Sequence, residues 1–431
     1  TQMATSYWQK LRLFSRDVRL FLVASAMLGF AWDGIRIVLF NLYLLRLGYG
    51  TESIGLINAV GSFAFSIFAV LLGTFGAGWN GRRSLVVGIS LMVVGLASLP
   101  LAGALAPSWQ LGWLYAANVI SFLGLAMWWV YSIPFLMGTT GTGERNHAFS
   151  VQIALAPLAG FAGSLVGGAL PGFFAAVRGF SVEDPAAYGY ALFVGALLLI
   201  PAVLALLPTR DPNSEVVPAG VAAPPKARAG SKAPYGLILL IGVVVWMRFA
   251  GTASTNTFFN VYLDDGLGVP TTLIGVVWAV GRLASVPAAL ATPLAVARWG
   301  NARTIVWGSL GLALFMLPLA LVPQWPVAGA AFVGISSLFA MTTGPVRVFS
   351  QDLVTLDWRP AMSAAMNIGV GMSIAAMSLW GGYAIAGLGY RSLFLAAAGL
   401  TVAGALIFWF YFRVPRGEMA RAAAEESSSQ T

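Results

Sequence analysis

The sequence has no cysteine and a single histidine, His147. Disulfides, thiolate metal sites and cysteine nucleophiles are thereby excluded, and no histidine cluster can gather zinc or haem. Charge is scarce as well: Asp, Glu, Lys and Arg make up 9% of the 431 residues, against about 25% in soluble proteins. A P-loop is missing, so direct ATP coupling within the chain is not expected, and no cofactor is expected. No cleavable leader is expected either, because the first apolar run is too long and carries Asp33 and Arg36.

What the chain does have is apolar surface. Hydrophobic residues reach 58% and the mean hydropathy is +0.82. Apolar runs of about twenty residues recur from end to end, each able to cross a bilayer core of about 30 Å. The fifty glycines suit close helix contacts in lipid, where small residues let backbones approach. The formal charge of +9 does not point to nucleic acid, because the basic residues lie in short loops rather than on one soluble face.

Reading the apolar runs against their loops predicts twelve helices at 18–46, 52–77, 84–105, 109–137, 146–177 and 187–207, then 235–264, 271–297, 302–322, 327–354, 359–386 and 390–413. Of the 24 basic residues, seventeen fall on the side of the N-terminus, three on the opposite side and four inside spans. Positive charge concentrates on the cytoplasmic side of inner-membrane proteins, so both termini are expected in the cytoplasm of a multi-pass inner-membrane protein. The Pro/Ala-rich stretch 208–234 reads as a flexible cytoplasmic linker, and 414–431 as a disordered tail.

The two halves repeat each other. Trp79, Arg83 and Gly88 match Trp299, Arg303 and Gly308 at an offset of 220 positions, as do Leu47, Gly48, Ile54 and Gly55 with Leu267, Gly268, Ile274 and Gly275. Phe40, Asn41, Tyr43 and Leu44 match Phe259, Asn260, Tyr262 and Leu263 at 219; Arg145, Gly167 and Gly168 match Arg359, Gly381 and Gly382 at 214. A near-constant offset through four separate segments indicates duplication. The expected domains are a six-helix bundle at 1–207, the linker 208–234, a second bundle at 235–413 and the tail.

Two parallel six-helix halves joined by a long linker, with Gly81, Arg82 and Arg83 closing the loop between helices two and three, resemble the major facilitator superfamily over residues 15–413. Glu144 and Arg145 at the entrance to helix five also resemble a loop pattern of that family. The resemblance implies an all-α membrane protein of twelve transmembrane helices in two pseudo-symmetric bundles, transporting a small-molecule substrate as a monomer by alternating access. The family's acidic loop residue, which helps lock the outward-facing state, is replaced here by Gly78 and is missing from 297–303 too. By the same resemblance, Arg82, Arg83, Arg145 and Arg359 are gating candidates, and Asn58, Gln152, Asn256 and Asn367 are candidate cavity-lining groups. Helix five, with Pro157, Gly160, Gly163, Gly167 and Gly168, partly resembles an antiporter motif; ordinary close packing explains it equally.

Charges inside spans mark pathways, because a charge at the bilayer centre is costly. Asp33 is the only acid at mid-depth; Arg36, Arg248, Arg282 and Arg347 are the four arginines that fall inside spans. Asp33 and Arg36, three residues apart, should share a helix face about 4.5 Å apart along the axis. Two readings stand: a mutually neutralising pair, or a proton-coupling Asp33 whose arginine moves onto the substrate. Arg347 is expected to be held by Asp352 or Gln351 in a cytoplasmic gate. Arg36, Arg248 and Arg282 then exceed Asp33 by two charges, which an anionic substrate would balance through paired hydrogen bonds; anchoring on backbone carbonyls is the alternative. Trp128, Trp129 and Tyr131 form either an aromatic wall for the ligand or packing. The reading is a secondary transporter coupled to protons, with multidrug efflux by proton antiport as the rival and a non-transporting sensor as the distant one. An enzyme is not expected, since no nucleophile, base and oxyanion site can be assembled together.

Overall fold

A computed structural model describes residues 14–76, 79–141, 144–179, 181–210 and 234–414. Gly78, positions 211–233 of the linker and 415–431 of the tail lie outside the described residues. All regular structure among the described residues is helical. The first six spans are α1 (Arg16–Arg46), α2 (Thr51–Phe75), α3 (Gly81–Ala104), α4 (Pro107–Thr139), α5 (Arg145–Arg178) and α6 (Pro185–Leu206). After the linker come α7 (Tyr235–Gly266), the stretch Thr271–Leu321, α10 (Trp325–Asp352), α11 (Arg359–Leu388) and α12 (Tyr390–Phe412).

Thr271–Leu321 has 51 residues. A straight rod of that length would reach about 75 Å, more than twice a hydrocarbon core of about 30 Å. Gly300 breaks it, with φ 75° and ψ 166°, a conformation in which a Cβ is strained. The stretch is therefore two rods, α8 (271–299) and α9 (301–321), and the membrane-length helices among the described residues total twelve.

The duplication is visible in the turns. Gly48 and Gly268 occupy matching positions in the repeat and both have positive φ, 87° and 64°. Each turn closes on its own helix: Tyr49 N–H donates to the Leu44 carbonyl at 3.1 Å, and Val269 N–H to that of Leu263 at 2.8 Å.

By proximity the chain forms two compact units. Unit 1 comprises 1–49, 63–221 and 270–282; unit 2 comprises 50–62, 222–269 and 283–431. In unit 1, α5 meets both α1 and the first turns of α8 through glycines. A Cβ on Gly34 would lie 2.5 Å from the Gly163 main chain, and one on Gly275 would lie 2.7 Å from the Gly168 Cα. In unit 2, Gly55 of α2 meets Ser378 and Gly382 of α11 in the matching arrangement. Lipid offers no hydrophobic drive between helices, so such backbone contact and a few hydrogen bonds carry the packing. The glycine run of α5 is close packing. Large apolar side chains such as Phe75, Leu290, Leu294 and Leu388 are three-quarters exposed, as a lipid-facing surface requires.

Candidate functional site

The middle of α1, Gly29–Arg36, is wound as a π-helix. Hydrogen bonds there run i→i+5, and such segments concentrate at functional sites. The wider winding rotates a residue away from the one three positions earlier. Asp33 and Arg36 consequently part, and the expected intrahelical pair does not form: each finds its partners elsewhere.

Arg36 is 6% exposed. Its Nη2 donates to Asn118 Oδ1 of α4 at 2.8 Å. The guanidinium lies 4.0 Å from the Trp32 ring centre, 4.7 Å from Phe40 and 5.1 Å from Phe122. Cation–π contacts reach about 2 kcal/mol when desolvated, so the rings replace part of the lost hydration. No acid pairs with Arg36 among the described residues.

Asp33 instead faces Arg282, and both belong to unit 1. Arg282 Nη2 is 3.9 Å from Asp33 Oδ1, with the two side chains 27% and 37% exposed. The same nitrogen is closer to the Asp33 carbonyl oxygen, at 3.4 Å. The guanidinium thus leans on the main chain and holds the carboxylate loosely, leaving it open to solvent. Gly160 of α5 provides the room: a Cβ there would meet Asp33 Cβ at 3.4 Å and Arg282 Cδ at 3.9 Å. Trp278, one turn earlier on α8, lies 5.8 Å from the Arg282 guanidinium.

Unit 2 holds the third arginine. Arg248 of α7 is half-buried, and its Nε donates to Ser309 Oγ of α9 at 2.7 Å. The Ser309 hydroxyl donates to the Ile305 carbonyl at 2.6 Å, which turns its lone pairs toward Arg248. Gly404 of α12 accommodates the stem, since a Cβ there would sit 3.1 Å from Arg248 Cγ. Ser309 therefore fixes one edge of the guanidinium and leaves the terminal nitrogens for another acceptor.

Asn58 donates to the Ile54 carbonyl of its own helix at 2.8 Å. Gln152 and Asn256 are half-buried, and Asn367 is exposed. Trp128 is 6% exposed and stacks on Phe21 with ring centres 5.4 Å apart, while Tyr131 donates to the Gly76 carbonyl at 3.0 Å. These two rings are core, not an open wall. Arg347 and Asp352 are both exposed and unpaired with each other among the described residues. Five residues along an α-helix is nearly half a turn away, which separates them; Gln351 donates to Ser363 at 2.9 Å instead.

At the predicted gate, Asn80 caps α3 by accepting from the Arg83 N–H at 2.8 Å; Arg82 is half-buried and Arg83 exposed. Arg145 donates to the carbonyls of Met137 and Thr140, at 3.0 and 3.4 Å, capping the end of α4 as basic residues do. Its counterpart Arg359 is exposed. Gly160, Asn118 and Ser309 were not singled out as site residues by the sequence reading. Only the crowding of glycines on α5 hinted at Gly160; nothing local distinguishes Ser309 from other serines.

The profile of the Major Facilitator Superfamily matches residues 21–376. No curated protein matches the sequence. Among solved structures, a D-xylose-proton symporter aligns with TM-score 0.72 and 15% identity, covering 91% of this chain and 97% of that one. The nucleoside transporter NupG aligns at 0.69 and 14%, covering 93% and 98%. A POT family transporter in complex with 5-aminolevulinic acid aligns at 0.69 and 12%, covering 92% and 96%. Twelve membrane-crossing rods, a duplicated architecture and the profile match over most of the length give one conclusion: the chain belongs to the major facilitator superfamily of membrane transporters.

Proposed function

We propose that the protein is a proton-coupled secondary transporter of a small organic anion, working by alternating access between its two six-helix halves. The observation that carries this reading is the loose Asp33–Arg282 pair of unit 1, 3.9 Å apart and partly open; Arg36 and Arg248 have no acid partner among the described residues. An anion that attracts the Arg282 guanidinium would draw positive charge off Asp33. The carboxylate, having lost its counter-charge, then takes a proton. Anion and proton bind together, and both leave together.

Within unit 2, Arg248 is a separate candidate for anion contact through its terminal nitrogens, since a guanidinium suits carboxylates through paired hydrogen bonds. Arg36, sealed among aromatic rings, is a fixed charge rather than a ligand. The symporter named for D-xylose and protons, and the POT transporter holding 5-aminolevulinic acid, support proton coupling and an acidic solute as chemistry this fold accommodates. The excess of basic residues on the side of the termini supports an inner-membrane orientation with both ends in the cytoplasm.

The test is counterflow and pH-gradient-driven uptake in proteoliposomes, with a panel of organic anions and of lipophilic cations at two pH values. An anion should be taken up, more strongly with acid outside. Asp33→Asn should keep counterflow and lose gradient-driven accumulation. Unchanged pH dependence in that variant would refute proton coupling at Asp33. Binding that survives both Arg248→Gln and Arg282→Gln would make those arginines structural, and transport of cations alone would replace the anion reading with drug efflux.

A further inference from the structure

Outside the α1 site, two surface crevices each contain one arginine of a repeat-related pair. In unit 1, Arg83 lines a space of about 330 Å³ with Trp79, Val87 and Met127. In unit 2, Arg303 lines a space of about 360 Å³ between the first turn of α9 and the last turn of α12, with Ala302, Phe408, Trp409, Phe412 and Arg413. The second differs in kind. It has two guanidinium groups rather than one, and its floor is aromatic.

That floor is closely packed. Phe349, Phe408 and Phe412 pack with ring centres 5.0–5.2 Å apart, inside a buried cluster that includes Ile305 and Val306. Arg303 and Arg413 are exposed, and neither forms an ion pair among the described residues. Arg413 rests 5.4 Å from the Phe410 ring. One helical turn from Arg303, Trp307 is 59% exposed, and Phe410 is exposed to the same extent. Two unpaired cations at the ends of membrane spans therefore meet an apolar, lipid-facing wall.

The geometry points to a binding site for an anionic phospholipid, its phosphate between Arg303 and Arg413 and its acyl chain along Trp307, Trp409 and Phe410. A soluble anion would gain nothing from the aromatic floor, and a neutral lipid nothing from the second guanidinium. Basic pockets between spanning helices hold anionic head groups in this way, and arginine's planar fork matches phosphate. The volume suits a head group, since small-molecule pockets begin at about 300 Å³. The inference is independent of the transported solute.

The experiment is native mass spectrometry of the purified full chain with equimolar phosphatidylglycerol and phosphatidylcholine. Phosphatidylglycerol should be retained about tenfold over phosphatidylcholine. Arg303→Gln with Arg413→Gln should remove most of that preference, whereas the double Lys variant, which keeps the charge without the planar fork, should keep part of it. Arg83→Gln should leave it intact, because that crevice has a single cation. Both arginines are exposed, so the double variant should melt with the wild type. Retention of both lipids alike, a preference undiminished in the Gln double variant, an equal loss in Arg83→Gln, or displacement of the lipid by millimolar inorganic phosphate would each overturn the site.

Discussion

In unit 1, Asp33, Arg36 and Arg282 bear three charges; the matching positions of the repeat in unit 2, Thr252, Thr255 and Ser62, bear three hydroxyls. The hydroxyls are 6%, 1% and 3% exposed. Thr255 meets its need locally, donating to the Gly251 and Thr252 carbonyls at 3.2 and 3.0 Å. A charge cannot be satisfied by one backbone carbonyl, so unit 1 has what unit 2 lacks there. It has a π-wound segment, an aromatic enclosure and a glycine against the ion pair. That glycine is Gly160 of α5, which stands at the position of Ile374 in α11, 214 residues on. The ionic chemistry and the glycine beside it occur in one unit but come from both copies of the repeat: Asp33, Arg36 and Gly160 from the first, Arg282 from the second.

The largest effect should come from Asp33. Asp33→Asn is expected to lower pH-gradient-driven accumulation about a hundredfold, as loss of the only mid-span acid implies, whereas Thr252→Val at the matching position should change it by less than about twofold. Equal effects at the two positions would erase the asymmetry. Next is that glycine. Gly160→Ala should be tolerated, because its Cβ meets neighbours only at van der Waals distance. Gly160→Ile, which installs the residue of α11, should push Arg282 off Asp33 and reduce transport about tenfold or more, at the scale of a misplaced site residue.

Stability comes third. Asn118→Leu strips Arg36 of its hydrogen bond and should destabilise the protein by about 2 kcal/mol, read as a lower melting temperature in detergent. The smallest effect belongs to unit 2. Ser309→Ala frees Arg248 at Nε and should weaken anion binding about fivefold, near the 1 kcal/mol of a typical hydrogen bond, with Ser309→Thr restoring it.

Much of this was legible in the sequence. Helix spans follow from hydropathy, and the break at Gly300 falls between the expected spans 271–297 and 302–322. The repeat anticipated both the paired Gly48 and Gly268 turns and the matching contacts of Gly168 and Gly382. The partners of the charges were not legible. Helical spacing pairs Asp33 with Arg36 only if the segment is α-helical; π-winding undoes that arithmetic, and the true partner lies 249 positions away. Trp128 and Tyr131 likewise looked the same whether they walled a cavity or filled a core, because the sequence gives no azimuth against neighbouring helices. Arg347 and Asp352 were grouped by proximity along the chain when helical phase separates them.

The most direct measurement is proton uptake on substrate addition. Purified protein in weakly buffered detergent is mixed with an anion that passes the transport screen, and the pH change is followed with an indicator dye. If the solute pulls Arg282 away and the freed carboxylate titrates, wild type should take up about one proton per molecule bound, consistent with a single mid-span acid, and Asp33→Asn none. Binding that proceeds with no proton uptake in wild type, or with the same uptake in Asp33→Asn, would contradict the account.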